Sequence, residues 1–400
     1  MKAAYALLVW CIALNNVSAQ TAESFLPPEP IPIHAWIGPP DGETTVERYR
    51  ELKDAGFTHS FSGFLDNDAM EAALDIAGNC GIKLFVSTPV LRKDPEGTVG
   101  RFKDHPALAG YHLRDEPNAK DFADLAAWTK TIRALDDEHF CYINLFPNYA
   151  SSEQLGTATY LEHVERFVGE VPVQVLTFDF YPIVGDKLRP QWYENLEIIS
   201  QAARDAGKPF WAFALAVAHG PYPIPTLSHL RLQVYSDLAY GAQGIQYFTY
   251  WTPKSTRWNF HEGPIRIDGS RSRVYDLVSY LNREIQALSG VFNGSRVVSI
   301  GHTGAAIPQG TRRFEAMPPF YTLETKGEGC LVSLLEKDST SFLAIVNRSL
   351  RDNAKVSVTA DIAADVQRVM KDGAIRPLDV LGTAFELEPG DIALFMWKSY

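Results

Sequence analysis

Eight short apolar runs, each followed by a longer amphipathic or loop-like stretch, constrain this chain more than any other feature. The runs cover 33–37, 58–62, 83–88, 109–113, 140–145, 173–178, 210–217 and 245–250. Between them, 45–55, 69–79, 119–135, 193–206 and 227–239 carry apolar residues at the three-to-four spacing of one helix face. Glycines that suit helix ends, Gly56, Gly81 and Gly207, precede several of the runs. A strand–helix unit repeated eight times at roughly 25 to 36 residues per repeat predicts an α/β fold, a (β/α)₈ barrel. The competing doubly wound sheet wants a glycine-rich phosphate loop after its first strand. "IGPPDGETT" lacks that G-x-G-x-x-G spacing.

From Arg296 the texture changes to "RVVSIGH", "CLVSLLE", "SFLAIVNRS", "KVSVTADI", "VQRVMKDG" and "DIALFMW", short runs separated by turn residues. These predict a small antiparallel β-sandwich, structural or sugar-binding, with 301–319 as a long loop. The expected division is a signal peptide over 1–19, a barrel over 20–295 and the sandwich over 296–400.

The N-terminus reads as a targeting segment: Lys2, an apolar stretch over 3–14, then Val17-Ser18-Ala19 before Gln20. The stretch is shorter than the ~20 residues that span a bilayer, so export to the periplasm or outside the cell is expected, with no membrane span. Cys11 follows Trp10, where a lipoprotein signal wants a small residue. Cys80, Cys141 and Cys330 are an odd number without metal-ligand spacing, which reads as buried small residues and neither a disulfide framework nor a zinc site. Against 37 Lys and Arg stand 48 Asp and Glu, a net charge of −11, and no basic run offers a face to phosphates. That speaks against nucleic acid as a partner. Oligomeric state cannot be read from the sequence.

In a (β/α)₈ barrel the active site lies at the C-terminal ends of the strands. The polar and aromatic residues expected there are His34 and Trp36, then Ser60 and Ser62, Ser87, and His112 with Arg114, Asp115 and Glu116. They continue with Asn144 and Asn148, Asp179 and Tyr181, His219, and Tyr247, Tyr250 and Trp251. Carboxylates, amides and aromatic faces on one rim suit a sugar, whose hydroxyls want hydrogen bonds and whose C–H faces stack on rings. Within "GYHLRDEPN", Glu116 follows the fourth run directly and Pro117 ends further pairing, which suits a proton donor at the rim. Alternation would put Arg114 on the face of Glu116, able to hold or tune it. The bland alternative has Asp115 capping the next helix while Glu116 pairs with Arg114.

"HPALAGYHLRDEPN" resembles the fourth-strand motif of clan A glycoside hydrolases, in which an Asn-Glu pair is often followed by Pro. "FDFYP" at 178–182 and "YFTYWTP" at 247–253 resemble that clan's sixth-strand Tyr and eighth-strand Trp motifs. The resemblance covers roughly residues 30 to 290 and implies cleavage of a glycosidic bond without a cofactor. It assigns acid/base to Glu116, a ring contact to Tyr181 and a stacking platform to Trp251. His34, Trp36, Arg114, Asn144, His219 and Tyr247 complete the expected substrate contacts.

Two departures stand out. Asp115 replaces the clan's Asn, and "PFWAFALAVAHG" holds no carboxylate where the clan has its seventh-strand nucleophile. Three readings stay open. Asp179, or Glu262 in the loop after the eighth run, supplies the second carboxylate. Alternatively the 2-acetamido group of the substrate assists, as the adjacent Asp-Glu pair of such glycosidases suggests by resemblance. In the third the barrel binds sugar without cleaving it. His-x-His after the first run, G-x-S-x-G and the P-loop are all absent from the sequence.

Overall fold

A computed structural model describes residues 29–378 and 383–398; the expected signal peptide lies outside the described residues. All eight apolar runs form strands. These are β1 (Ile33–Trp36), β2 (His59–Phe61), β3 (Lys83–Val86), β4 (Leu108–Asp115), β5 (Phe140–Leu145), β6 (Leu176–Phe178), β7 (Phe210–Leu215) and β8 (Gly244–Phe248). They are parallel and close in sequence order, β8 pairing with both β7 and β1.

Closure explains the unbroken hydrophobicity of the runs, because each strand is buried on both faces. Inward residues Trp36, Phe85, Tyr142, Trp211 and Phe213 fill the barrel. Outward ones, such as Ala35, Ile143, Ala214 and Tyr247, pack under the surrounding helices. The helices begin where short polar side chains cap them. Asp66 accepts from the amides of Asp68 and Ala69, and Thr226 accepts from that of His229.

The C-terminal strands form two antiparallel sheets. β9 (Arg296–His302), β11 (Cys330–Lys337), β12 (Thr340–Asn347), β14 (Gln367–Val369), β15 (Ile375–Pro377) and β17 (Ile392–Lys398) make the larger, ordered β9-β11-β12-β17-β14-β15. β10 (Phe320–Lys326), β13 (Ala354–Ala360) and β16 (Thr383–Leu387) make the smaller. The larger sheet is covered twice. Phe342, Ala344 and Val346 of β12 join the barrel's core, while Leu343 and Ile345 face the smaller sheet. The helix Leu227–Ala239 is buried from Leu230 onward because it lies between β7 and the strands β11 and β12. Of the loop expected over 301–319, Gly301 and His302 belong to β9 and 303–319 carry no assigned strand, whereas β10, β15 and β16 had not been expected from the sequence. Cys141 and Cys330 are buried and Cys80 is half-buried, all three as free thiols. No described helix is long and apolar enough to cross a membrane.

Candidate active site

The geometry of the rim turns on one irregularity in β4. His112 pairs with Tyr142 of β5, but the register then slips, so that Arg114 pairs with Ile143 and Asp115 with Asn144. Paired residues of a parallel ladder share a face, and Ile143 points outward whereas Tyr142 faces the interior. The slip at Leu113 therefore turns Arg114 out and Asp115 in. This corrects the expectation that Arg114 holds Glu116. Its guanidinium lies 3.6 Å from Asp121, in a cavity of about 510 Å³ lined also by Ser87, His112, Arg92 and Trp128. Nor does Asp115 cap a helix; Asn118 does so, accepting from the amide of Lys120.

Glu116 follows in the left-handed region, φ 45°, where a non-glycine residue costs about 1–3 kcal/mol. Its amide donates to the Asn144 carbonyl at 2.9 Å. The side chain thus leaves the strand line toward Asp179, close enough for its charge to act on that carboxyl. Asn144 ties the group together: its Nδ2 donates to Asp115 Oδ1 and to Asp179 Oδ1, both at 3.1 Å. Tyr181 stands close enough to Asp179 for each to shift the other's titration. The structure so gathers Asp115, Glu116, Asn144, Asp179 and Tyr181 into one cluster from the ends of β4, β5 and β6.

Burial and mutual repulsion dominate its electrostatics. Desolvation, then the charge of Asp115, pushes Glu116 up to about 7. Asp179, 7% exposed, is driven well above the carboxylate range by burial and then by Glu116 and Asp115, against the pull of Asn144 and Tyr181. Asp115 is raised by desolvation, with Asn144 and Arg114 opposing. Such a cluster holds protons at neutral pH and releases them one at a time. Among the described residues no three His, Cys, Asp or Glu side chains are arranged to hold a metal ion.

Around the acids lies an aromatic cleft. Trp36 forms part of its base, its ring 4.5 Å from that of Phe61 and 5.4 Å from that of His112. Tyr181 stands against Phe248 at 5.4 Å and Tyr222 at 5.9 Å. His219 packs on Tyr222 at 4.7 Å and Phe260 at 4.5 Å, with Trp258 beside it at 6.0 Å.

Three expected contacts lie elsewhere. His34 is fully buried one inward layer below Trp36, stacked on Phe85, and burial with two neighbouring histidines keeps it neutral. Tyr247 pairs with Ala35 and Ala214 on the outward face, against Phe57. Trp251 is 6% exposed and lies under the Arg48 guanidinium, 5.0 Å from its ring centre. Tyr250 also faces Phe57. Glu262 is paired with Arg266 at 2.7 Å, which lowers its pKa. The inward aromatic at the end of β8 is Phe248, in register with Trp36. Sequence reasoning passed over Tyr149; Arg189, Trp258 and Phe260 belong to the long loops after the sixth and eighth runs, 183–192 and 254–264, that were expected to shape substrate choice, though none of the three was named for the site.

No family model and no curated protein sequence matches the chain. Solved structures do. A catalytic mutant of Gan42B, a GH42 beta-galactosidase from G. stearothermophilus, superposes with a TM-score of 0.64 at 9% identity, covering 94% of this chain and 99% of that one. A family 39 glycoside hydrolase from Bacteroides cellulosilyticus WH2 gives 0.53 at 12% identity, over 92% and 81%. A GH27 β-L-arabinopyranosidase from Geobacillus stearothermophilus gives 0.50 at 11%, over 95% and 100%. The chain has the (β/α)₈ barrel fold of these glycoside hydrolases, followed by a β-sandwich.

Proposed function

We propose that the protein is an exported glycoside hydrolase with Glu116 as proton donor. The observation that carries this reading is the cluster of Glu116, Asp115 and Asp179 around the Asn144 amide at the C-terminal rim, with Glu116 raised to about 7. A carboxyl with that pKa is protonated at near-neutral pH yet acidic enough to release its proton to a leaving oxygen. The exposed face of Trp258 offers the sugar a ring, and the glycosidase neighbours of like fold lend support.

The second role is the harder one. Carboxyls that flank a glycosidic bond stand roughly 5–9.5 Å apart, leaving room for the sugar or a water. Glu116 and Asp179 lie in one cluster, each within the other's electrostatic reach, so Asp179 serves better as the partner that tunes the proton of Glu116 than as a group on the opposite face. The end of β7, Ala214–Leu215 and then Ala216-Val217-Ala218, carries no carboxylate. Together these features favour assistance by a 2-acetamido group of the substrate, with Asp115 orienting it beside Glu116. The same bare strand end also favours a second reading, a sugar-binding protein without turnover.

Hydrolysis of aryl glycosides and oligosaccharides, with 2-acetamido sugars included, by wild type, Glu116→Gln and Asp179→Asn separates these. Cleavage limited to 2-acetamido substrates and abolished by Glu116→Gln is expected. Binding without cleavage anywhere on the panel would leave the second reading.

A further inference from the structure

Arg189, on the loop after β6, is a cation in search of an anion. Its amide donates to the Pro182 carbonyl at 2.7 Å, fixing the backbone close to the cluster. The guanidinium lies over the Tyr149 ring at 4.4 Å and near that of Tyr222 at 5.9 Å, and Nη2 donates to the Tyr222 hydroxyl at 3.1 Å. Its Nε is buried without a partner. Among the described residues no carboxylate pairs with it, whereas Arg48, Arg92, Arg114 and Arg266 on the same side of the barrel each have one. Arg257 also lacks an acid, but it stands out in solvent, where water serves it.

A half-buried guanidinium between two rings has given up hydration that one hydroxyl and two ring faces replace only in part. Its free edge, Nη1, is neither bonded nor sealed off. The position ties it to the acids: Tyr222 packs on Tyr181, Tyr181 feels the charge of Asp179, and the Tyr149 hydroxyl feels both Asp179 and Arg189. An acidic sugar entering a cleft lined by three carboxyl groups needs a cation to offset their repulsion. A planar fork matches a carboxylate best.

We propose that Arg189, clamped between Tyr149 and Tyr222, is a subsite for the carboxylate of a uronic acid unit adjoining the bond to be cleaved. This deepens the glycosidase reading and rests on it only for the word adjoining.

The test is calorimetric titration of the full chain carrying Glu116→Gln, which removes turnover. The probes are oligosaccharides of glucuronic and of galacturonic acid, their carboxyl-reduced neutral counterparts, and a sulfated neutral oligosaccharide. At least tenfold tighter binding of one uronate series than of its reduced form is expected. Adding Arg189→Gln should abolish that preference, and Arg189→Lys should restore part of it. Equal binding of acid and reduced forms, binding of neither, a preference confined to sulfated sugar, or a preference that survives Arg189→Gln in a chain with unchanged Tm would each overturn it. Absence of hydrolysis by wild type of every aryl glycoside and oligosaccharide tried, 2-acetamido sugars included, with the uronate preference intact, would instead sink the glycosidase and leave the subsite standing.

Discussion

Asn144 holds Asp115 and Asp179 together, its Nδ2 donating to an Oδ1 of each at 3.1 Å. Glu116 beside them adds a third carboxyl, and burial with mutual repulsion keeps a proton on the group. Asp115, joined to Asp179 through the Asn144 amide, adds a like charge that keeps that proton in place. Everything expected of this site in solution follows from that proton.

The basic limb of the pH–rate profile is the first consequence. Glu116 must be protonated to donate, so kcat/KM is expected to fall as pH rises through about 7, the value to which burial and Asp115 lift it. Glu116→Gln should remove the limb and lower turnover by at least about 10² on substrates with poor leaving groups. Asp115→Asn, by deleting the repelling charge, should move the limb to lower pH. A pH–rate profile that is flat from 6 to 9 in wild type would exclude Glu116 as the donor.

Asp179 should trade stability for function. Its folded pKa is raised, so the native state holds a proton that the unfolded chain loses once pH passes the ordinary Asp value. The stability it contributes is fully present below that value and is lost as pH rises toward the folded pKa. Asp179→Asn escapes this loss. Its Tm is expected to exceed that of wild type by roughly 1–4 °C at pH 8 and to match it near pH 4, while activity falls. Thermal melts across pH decide the matter; a lower Tm at pH 8 would mean that Asp179 is held ionised.

Arg114 separates the strand pattern from the structure. Strict alternation sets it beside Glu116, but the slip at Leu113 sends it to Asp121. Arg114→Ala should leave the basic limb in place, change turnover by less than about threefold, and shift stability by about 0.5 kcal/mol or less. A displaced limb would show that the guanidinium does reach the acids.

How much of this could be read from the residues depends on burial. Barrel strands such as Phe210–Leu215 are covered on both faces, so their apolar runs are continuous and hard to miss. β12 and β17 are equally legible because the larger sheet lies between the barrel and the smaller sheet. β10, "FYTLETK", is solvent-facing along most of its length and shows only Phe320 buried, so no pattern announced it. Glu116, Asp115 and Asp179 could be singled out because carboxylates at strand ends are rare without a reason. The slip at Leu113 could not, since "YHLRD" fits regular alternation as well as a bulge. Choosing between Phe248, Tyr247 and Trp251 as the inward ring required the register with β1, which one strand alone does not contain.

Two tryptophans from the loop after β8 give the sharpest contrast between packing and binding. Trp251 is 6% exposed, its backbone amide bonds the Ile37 carbonyl, and Arg48 covers its ring, so a sugar finds little of it to touch. Trp258 is 43% exposed beside His219, within the cleft wall. Trp258→Ala should therefore raise KM by about 5- to 30-fold, the equivalent of one stacking contact of roughly 1–2 kcal/mol, with Tm nearly unchanged. Trp251→Ala should leave KM within about twofold in whatever fraction folds, while costing about 3–5 kcal/mol of stability through the cavity it opens. Paired measurement of KM and of the urea midpoint in the two variants tests the assignment. The reverse pattern would return the sugar platform to Trp251 and with it the eighth-strand role that the resemblance had given it.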